Sequence, residues 1–130
     1  MNEIIMTTGD SRTAAHPVTD NQAFVEDFYT KVFVHKNLAL IDYCVHKNCV
    51  EHNPEIAFRG LAFFLANPAY VVRKVRRIVT MGNFVMVHAE GLKNQRPVTY
   101  YDIFTVEEGK IAEHWNAGQE ITGYHHAIER

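Results

Sequence analysis

The apolar positions change their period partway along the chain. From Thr19 to about residue 37, Phe24, Val25, Phe28, Val32 and Phe33 recur at spacings of three and four. That spacing predicts an amphipathic helix, with Thr19 or Asp20 as its cap. Residues 37–48 repeat the pattern through Leu38, Ile41 and Val45, with Asn37 as the cap of a second helix. "CVEHNP" (49–54) carries a β-branched Val50 and stops at Pro54, which predicts a brief strand running into a loop. "RGLAFFLANP" (59–68) predicts a third, short helix ending before Pro68. From Arg73 the period becomes two. "RKVRRIVTM" and "FVMVHAEGLK" read as strands joined by a Gly82-Asn83 turn. "RPVTYYDIFTV" and "KIAEHWNAGQ" are two more, joined around Glu107-Glu108-Gly109. Helices followed by a run of antiparallel strands predict an α+β domain over 19–130. Residues 1–18 have no period and few apolar groups, and are expected to form a flexible arm.

Composition narrows the classes of function. The chain has 130 residues, 47% of them hydrophobic and 22% charged, which fits one domain with a real core. A formal net charge of −2 supplies no global basic field for nucleic acid. The local basic run of Arg73, Lys74, Arg76 and Arg77 has no interleaved aromatic residues and reads as a solvated edge. Cys44 and Cys49 match no metal or redox spacing, and a reduced, cytoplasmic setting is the simplest expectation. No window approaches a membrane span, and the N-terminus fails the signal-peptide pattern. Eight histidines stand out, yet no two on one element have ligand spacing, so no metal is expected.

One acid sits where an acid is costly. Asp102 lies inside the apolar run Tyr100, Tyr101, Ile103, Phe104, and a buried charge needs a partner. Alternation puts Tyr100, Asp102 and Phe104 on one face and Tyr101, Ile103 and Thr105 on the other. In the preceding strand Met86, His88 and Glu90 share a face. If His88 and Asp102 face the same side of adjacent strands, they can pair, which fixes the imidazole tautomer and stabilises the carboxylate.

"CVEHNP", "FRGLAFF", "FVMVHAEG" and above all "YYDIFTVEEGKIAEHWNAGQ" resemble the SnoaL-like polyketide cyclase family. That family belongs to the nuclear-transport-factor-2-like superfamily, which also holds ketosteroid isomerases. The resemblance runs from about Asn21 to Gln119 and implies a cone: a curved antiparallel sheet wrapped over three N-terminal helices around a deep pocket. It implies a cofactor-independent cyclase, isomerase or lyase that works by aldol condensation or proton transfer on a small, largely apolar carbonyl compound. Asp102 would be the general acid/base and His88 its orienting partner. The alternative within the same fold is a non-catalytic ligand-binding or dimerisation module.

The resemblance places further residues near the pocket. His52 and Asn53 match a loop motif at its mouth, where they would bind substrate oxygens or merely turn the chain. The hairpin at Gly109 leaves the next strand in one of two registers. One faces Trp115 toward Asp102; the other, favoured by analogy with ketosteroid isomerases, faces His114 and Asn116. Tyr100 and Phe104 share the Asp102 face and would contact substrate. The family carries Asp where this chain has Asn116, so a second ionisable carboxylate is missing. The opposite sheet face, with Tyr101, Ile103, Val85 and Val87, reads as apolar and is expected to be covered by a second subunit of a homodimer.

Overall fold

The computed structural model describes residues 20–121. The expected arm at 1–18 lies outside the described residues. The first helix, α1 (Asp20–Phe28), continues into a widened π-helical turn over Tyr29–Val34. Its apolar positions do what their spacing predicts: Val25, Phe28, Tyr29, Val32 and Phe33 are all buried. Tyr29 stacks on Phe33 at 4.4 Å, and Phe28, Tyr29 and Phe33 meet Phe104 of the sheet edge to face.

The second helix is shorter than its pattern suggests. A 3-10 turn at Leu38–Leu40 leads into α2 (Ile41–Cys44), and the chain then extends as β1 (Val45–Glu51). Asn37 occupies the cap position but makes no side-chain cap bond. Val45 pairs with Ile111 of the sheet, and this tertiary pairing outweighs the helical spacing. The third helix forms where its pattern places it, and a further, unexpected helix occupies the loop expected after Pro54. Helix α3 (Pro54–Arg59) starts at Pro54 with the Asn53 side chain accepting from the Glu55 N–H at 2.9 Å. Helix α4 (Leu61–Ala66) follows after a break at Gly60, whose φ of 95° no other residue type adopts readily.

The strands β2 (Tyr70–Met81), β3 (Phe84–Lys93), β4 (Arg96–Glu107) and β5 (Lys110–Glu120) form an antiparallel run. The order in the sheet is β1-β5-β4-β3-β2, and β1 joins its edge in parallel with β5. The molecule is α+β, a curved five-stranded sheet with the helices on its inner face. Two register shifts in the β2–β3 pairing bend the sheet. At the first of them a Cβ on Gly91 would lie 1.8 Å from the Val71 carbonyl oxygen, so only glycine permits this approach. Among the described residues no helix is long and apolar enough to cross a membrane.

Register decides which face each side chain takes. Val87 lies opposite Asp102, and Val85 opposite Phe104; both valines are fully buried on the inner face. The expectation that Val85 and Val87 line the outer face is therefore corrected. The outer face carries Met81, Phe84, Met86, His88, Tyr101, Ile103 and Trp115, linked by cross-strand pairing.

Candidate active site

The inner face of the sheet gathers a buried polar chain. Strand β4 delivers Asp102, which has no solvent exposure. Its neighbour β5 pairs Asn116 with Asp102 and His114 with Phe104, placing both polar side chains beside the acid. Asp102 Oδ1 accepts from His114 Nε2 and from Asn116 Nδ2, both at 2.7 Å. Asp102 Oδ2 accepts from the Tyr29 hydroxyl at 2.9 Å. Three donors from one helix and one strand thus satisfy the acid, which resolves the cost of placing it in an apolar strand.

His114 is held from both sides. Its Nδ1 lies 2.7 Å from Glu51 Oε1 of β1. Both ring nitrogens face carboxylates, so both carry hydrogens and the ring is an imidazolium. Burial works against that charge, but the hydrogen bonds and charges of Asp102 and Glu51 prevail and hold the pKa up at about 9. The ring stacks on Phe104 at 4.7 Å, which fixes its plane. With both nitrogens committed, His114 has none left for a metal ion. Burial first, and then the Asp102 charge, push the Tyr29 phenol well above its ordinary pKa, so it stays a donor.

Two cavities flank this chain, and Asp102 lines neither. One, of about 270 Å³, has Phe64, Tyr70, Tyr100, Val98, Asn53 and Asn116 among its walls and Lys93 and Arg96 toward its rim. The Tyr100 hydroxyl donates to the Leu92 carbonyl at 2.7 Å, and Asn53 Nδ2 donates to Asn116 Oδ1 at 3.1 Å. The other, of about 360 Å³, lies under β1 and is mostly apolar, with Glu51 and His114 at its polar end.

The site residues expected from sequence divide sharply. Asp102, Asn53, Asn116 and Tyr100 are brought together, with His114 as the acid's direct partner. Phe104 packs beneath His114 in the aromatic core rather than on the cavity of Tyr100. His88 is a correction: it pairs with Tyr101 across the strands and stacks on that ring at 4.9 Å on the outer face. It cannot orient Asp102, because directly opposed residues share a face and the partner of Asp102 is Val87. His52 and Trp115 are corrected likewise. They stack on each other at 4.4 Å on the outer face, where His52 also contacts Glu113. The sequence reasoning missed Tyr29, Glu51 and Tyr70. The available signals were the polar tip of Tyr29 on a buried helix face and the inward alternation of Cys49 and Glu51.

The model of the SnoaL-like domain matches residues 25–114. The chain belongs to the SnoaL-like domain family. No curated protein matches it. Among solved structures, IdmH from Streptomyces antibioticus, described as a candidate polyketide cyclase, is 17% identical, with a TM-score of 0.59 over 78% of this chain and 93% of that one. A protein of unknown function with a cystatin-like fold from Xanthomonas campestris is 14% identical, with a TM-score of 0.64 over 77% and 91%. A nuclear-transport-factor-2-like protein of unknown function from Burkholderia xenovorans is also 14% identical, with a TM-score of 0.61 over 82% and 91%. At these identities the likeness of this SnoaL-like domain to its neighbours is one of fold.

Proposed function

We propose that this SnoaL-like domain binds a small, largely apolar carbonyl compound in the cavity beside Asn116 and moves a proton next to the carbonyl without a cofactor. Asp102 is the general acid/base and His114 its charged partner. The observation that carries this reading is a fully buried carboxylate bonded at once to an imidazolium and to a cavity-lining amide. Substrate entering the cavity displaces the Asn116 amide and uncovers Asp102 Oδ1. That oxygen takes a proton from the carbon next to the carbonyl, and the C–H electrons move to the carbonyl oxygen as an enolate. Return of the proton at another carbon gives isomerisation; attack of the enolate on a second carbonyl gives aldol-type ring closure.

The test needs no knowledge of the natural substrate. Methyl ketones, including 2-acetylnaphthalene, are incubated with the protein in D₂O, and hydrogen–deuterium exchange at the methyl group is followed by NMR. Catalysed exchange that falls by roughly 10²–10⁴-fold in Asp102→Asn supports the reading. Exchange no faster than in buffer counts against it.

A second reading has an observation of its own. Both Asp102 oxygens are already satisfied and neither cavity reaches them, as suits a structural node in a non-catalytic binding module. Ligand affinity would then stay normal in Asp102→Asn, and wild type would bring no deuterium exchange. In either reading we propose a second copy of the chain as partner. Met81 is 74% exposed, Phe84 46%, Val79 44% and Tyr101 39%, and cross-strand pairing joins them with half-buried Met86, Ile103 and Trp115 into one apolar face.

A further inference from the structure

Among the described residues, one buried side-chain polar atom makes no hydrogen bond: the hydroxyl of Tyr70. Tyr70 is 2% exposed, and its side chain lines the cavity beside Asn116. An unpaired buried hydroxyl is destabilising, so its persistence in an otherwise satisfied site needs an explanation.

The residue is held firmly. It opens β2, and the Lys36 ammonium donates to its carbonyl at 2.6 Å and to that of Asn67 at 3.0 Å. Its ring sits between Phe64 at 4.5 Å and Tyr100 at 4.8 Å. The hydroxyl therefore cannot swing to find a partner. The neighbouring polar groups make their hydrogen bonds elsewhere: Tyr100 to the Leu92 carbonyl, Asn53 to Asn116, and Asn116 to Asp102. Burial, and then the negative charge of Asp102 and the nearby Tyr100, push the Tyr70 pKa well up, with Asn116 close enough to oppose them slightly. The group stays a phenol, with a proton to donate.

The geometry points to Tyr70 as the residue that donates to the carbonyl oxygen of the ligand. It decides which end of an apolar molecule enters the cavity first. The aromatic walls suit a flat ketone, and a buried, unpaired hydroxyl among those walls suits a ligand that carries an acceptor oxygen rather than a hydrocarbon. The inference rests on reading this cavity as the ligand site.

Wild type and Tyr70→Phe are compared by thermal unfolding and by NMR titration with 2-acetylnaphthalene and its oxygen-free shape match, 2-ethylnaphthalene. The variant is expected to melt at the same temperature as wild type or higher, because it loses only an unpaired hydroxyl. Wild type is expected to prefer the ketone by about 10-fold, and the variant to bind both alike. Three results would overturn the inference: a variant that melts well below wild type, an equal ketone preference in both proteins, or a wild type that binds the ketone no better than the hydrocarbon. Ketone binding that depends on Tyr70 but brings no deuterium exchange would sink the proposed reaction and leave this inference standing. Exchange catalysed equally by both proteins would do the reverse.

Discussion

His114 is the residue on which the polar site turns. It is a buried cation shared by two carboxylates, and each contributes to its raised pKa. Asp102→Asn and Glu51→Gln are both expected to lower that pKa, by about one unit or more, read from the ring-proton shifts in an NMR titration. An unchanged titration in both variants would show that neither carboxylate governs the ring. Asp102→Asn is also expected to cost about 3 kcal/mol of stability near neutral pH, the usual consequence of leaving one member of a buried pair uncompensated. At this scale the sequence was partly legible. Asp102 announced itself as an acid in an apolar strand, and alternation grouped it with Tyr100 and Phe104. The register favoured by resemblance did place His114 and Asn116 on its side, but alternation alone could not choose its orienting imidazole, since it gives parity along a strand and not the pairing between strands. A shift of one residue separates Val87 from His88, and that shift moved the orienting imidazole from His88 on β3 to His114 on β5.

Among the elements, the short helix α3 shows how local chemistry positions the site. Asn53 does two tasks with one side chain: its oxygen caps the helix through Glu55, and its nitrogen holds Asn116. Asn53→Ala is expected to lower stability by about 1 kcal/mol or somewhat more, measured by denaturant unfolding. Asn53→Asp should keep the cap and lose only the donation to Asn116, so it separates the two roles. Helix α3 was illegible because Asn-Pro followed by two charged-flanked turns reads equally as a loop or as a cap followed by proline at the first helical position. Strand β1 was hidden for another reason. Leu38, Ile41 and Val45 keep a helical period, but β5 offers an open edge, and pairing with Ile111 recruits Val45 into the sheet. The four long strands were legible, since a period of two runs along them and turn signals such as Gly82-Asn83 separate them.

For the whole molecule, the buried imidazolium ties stability to pH. An unfolded histidine titrates near 6.5 and the folded His114 near 9. A raised pKa means that the native state binds the proton more tightly. The contribution is therefore complete below about pH 6.5 and is lost as pH rises through about 9. The total is about 3 kcal/mol, and a denaturation midpoint that stays flat across this window would contradict it. The outer face makes a separate prediction. If a second copy covers Met81, Phe84 and Tyr101, sedimentation at micromolar concentration should show a dimer, and Phe84→Glu should give a folded monomer. The lost interface would be about 1,200 Å² or more. The bend at Gly91 has a consequence of another kind. Here the backbone itself occupies the volume that any side chain would need, and no rotamer or compensating neighbour can yield it. In a library carrying every single substitution, position 91 is expected to tolerate none, whereas the exposed tyrosine at position 43 should accept almost any residue. The first of the two bends in the sheet thus depends on the absence of one carbon atom, and natural drift cannot cross that position without first unbending the sheet there.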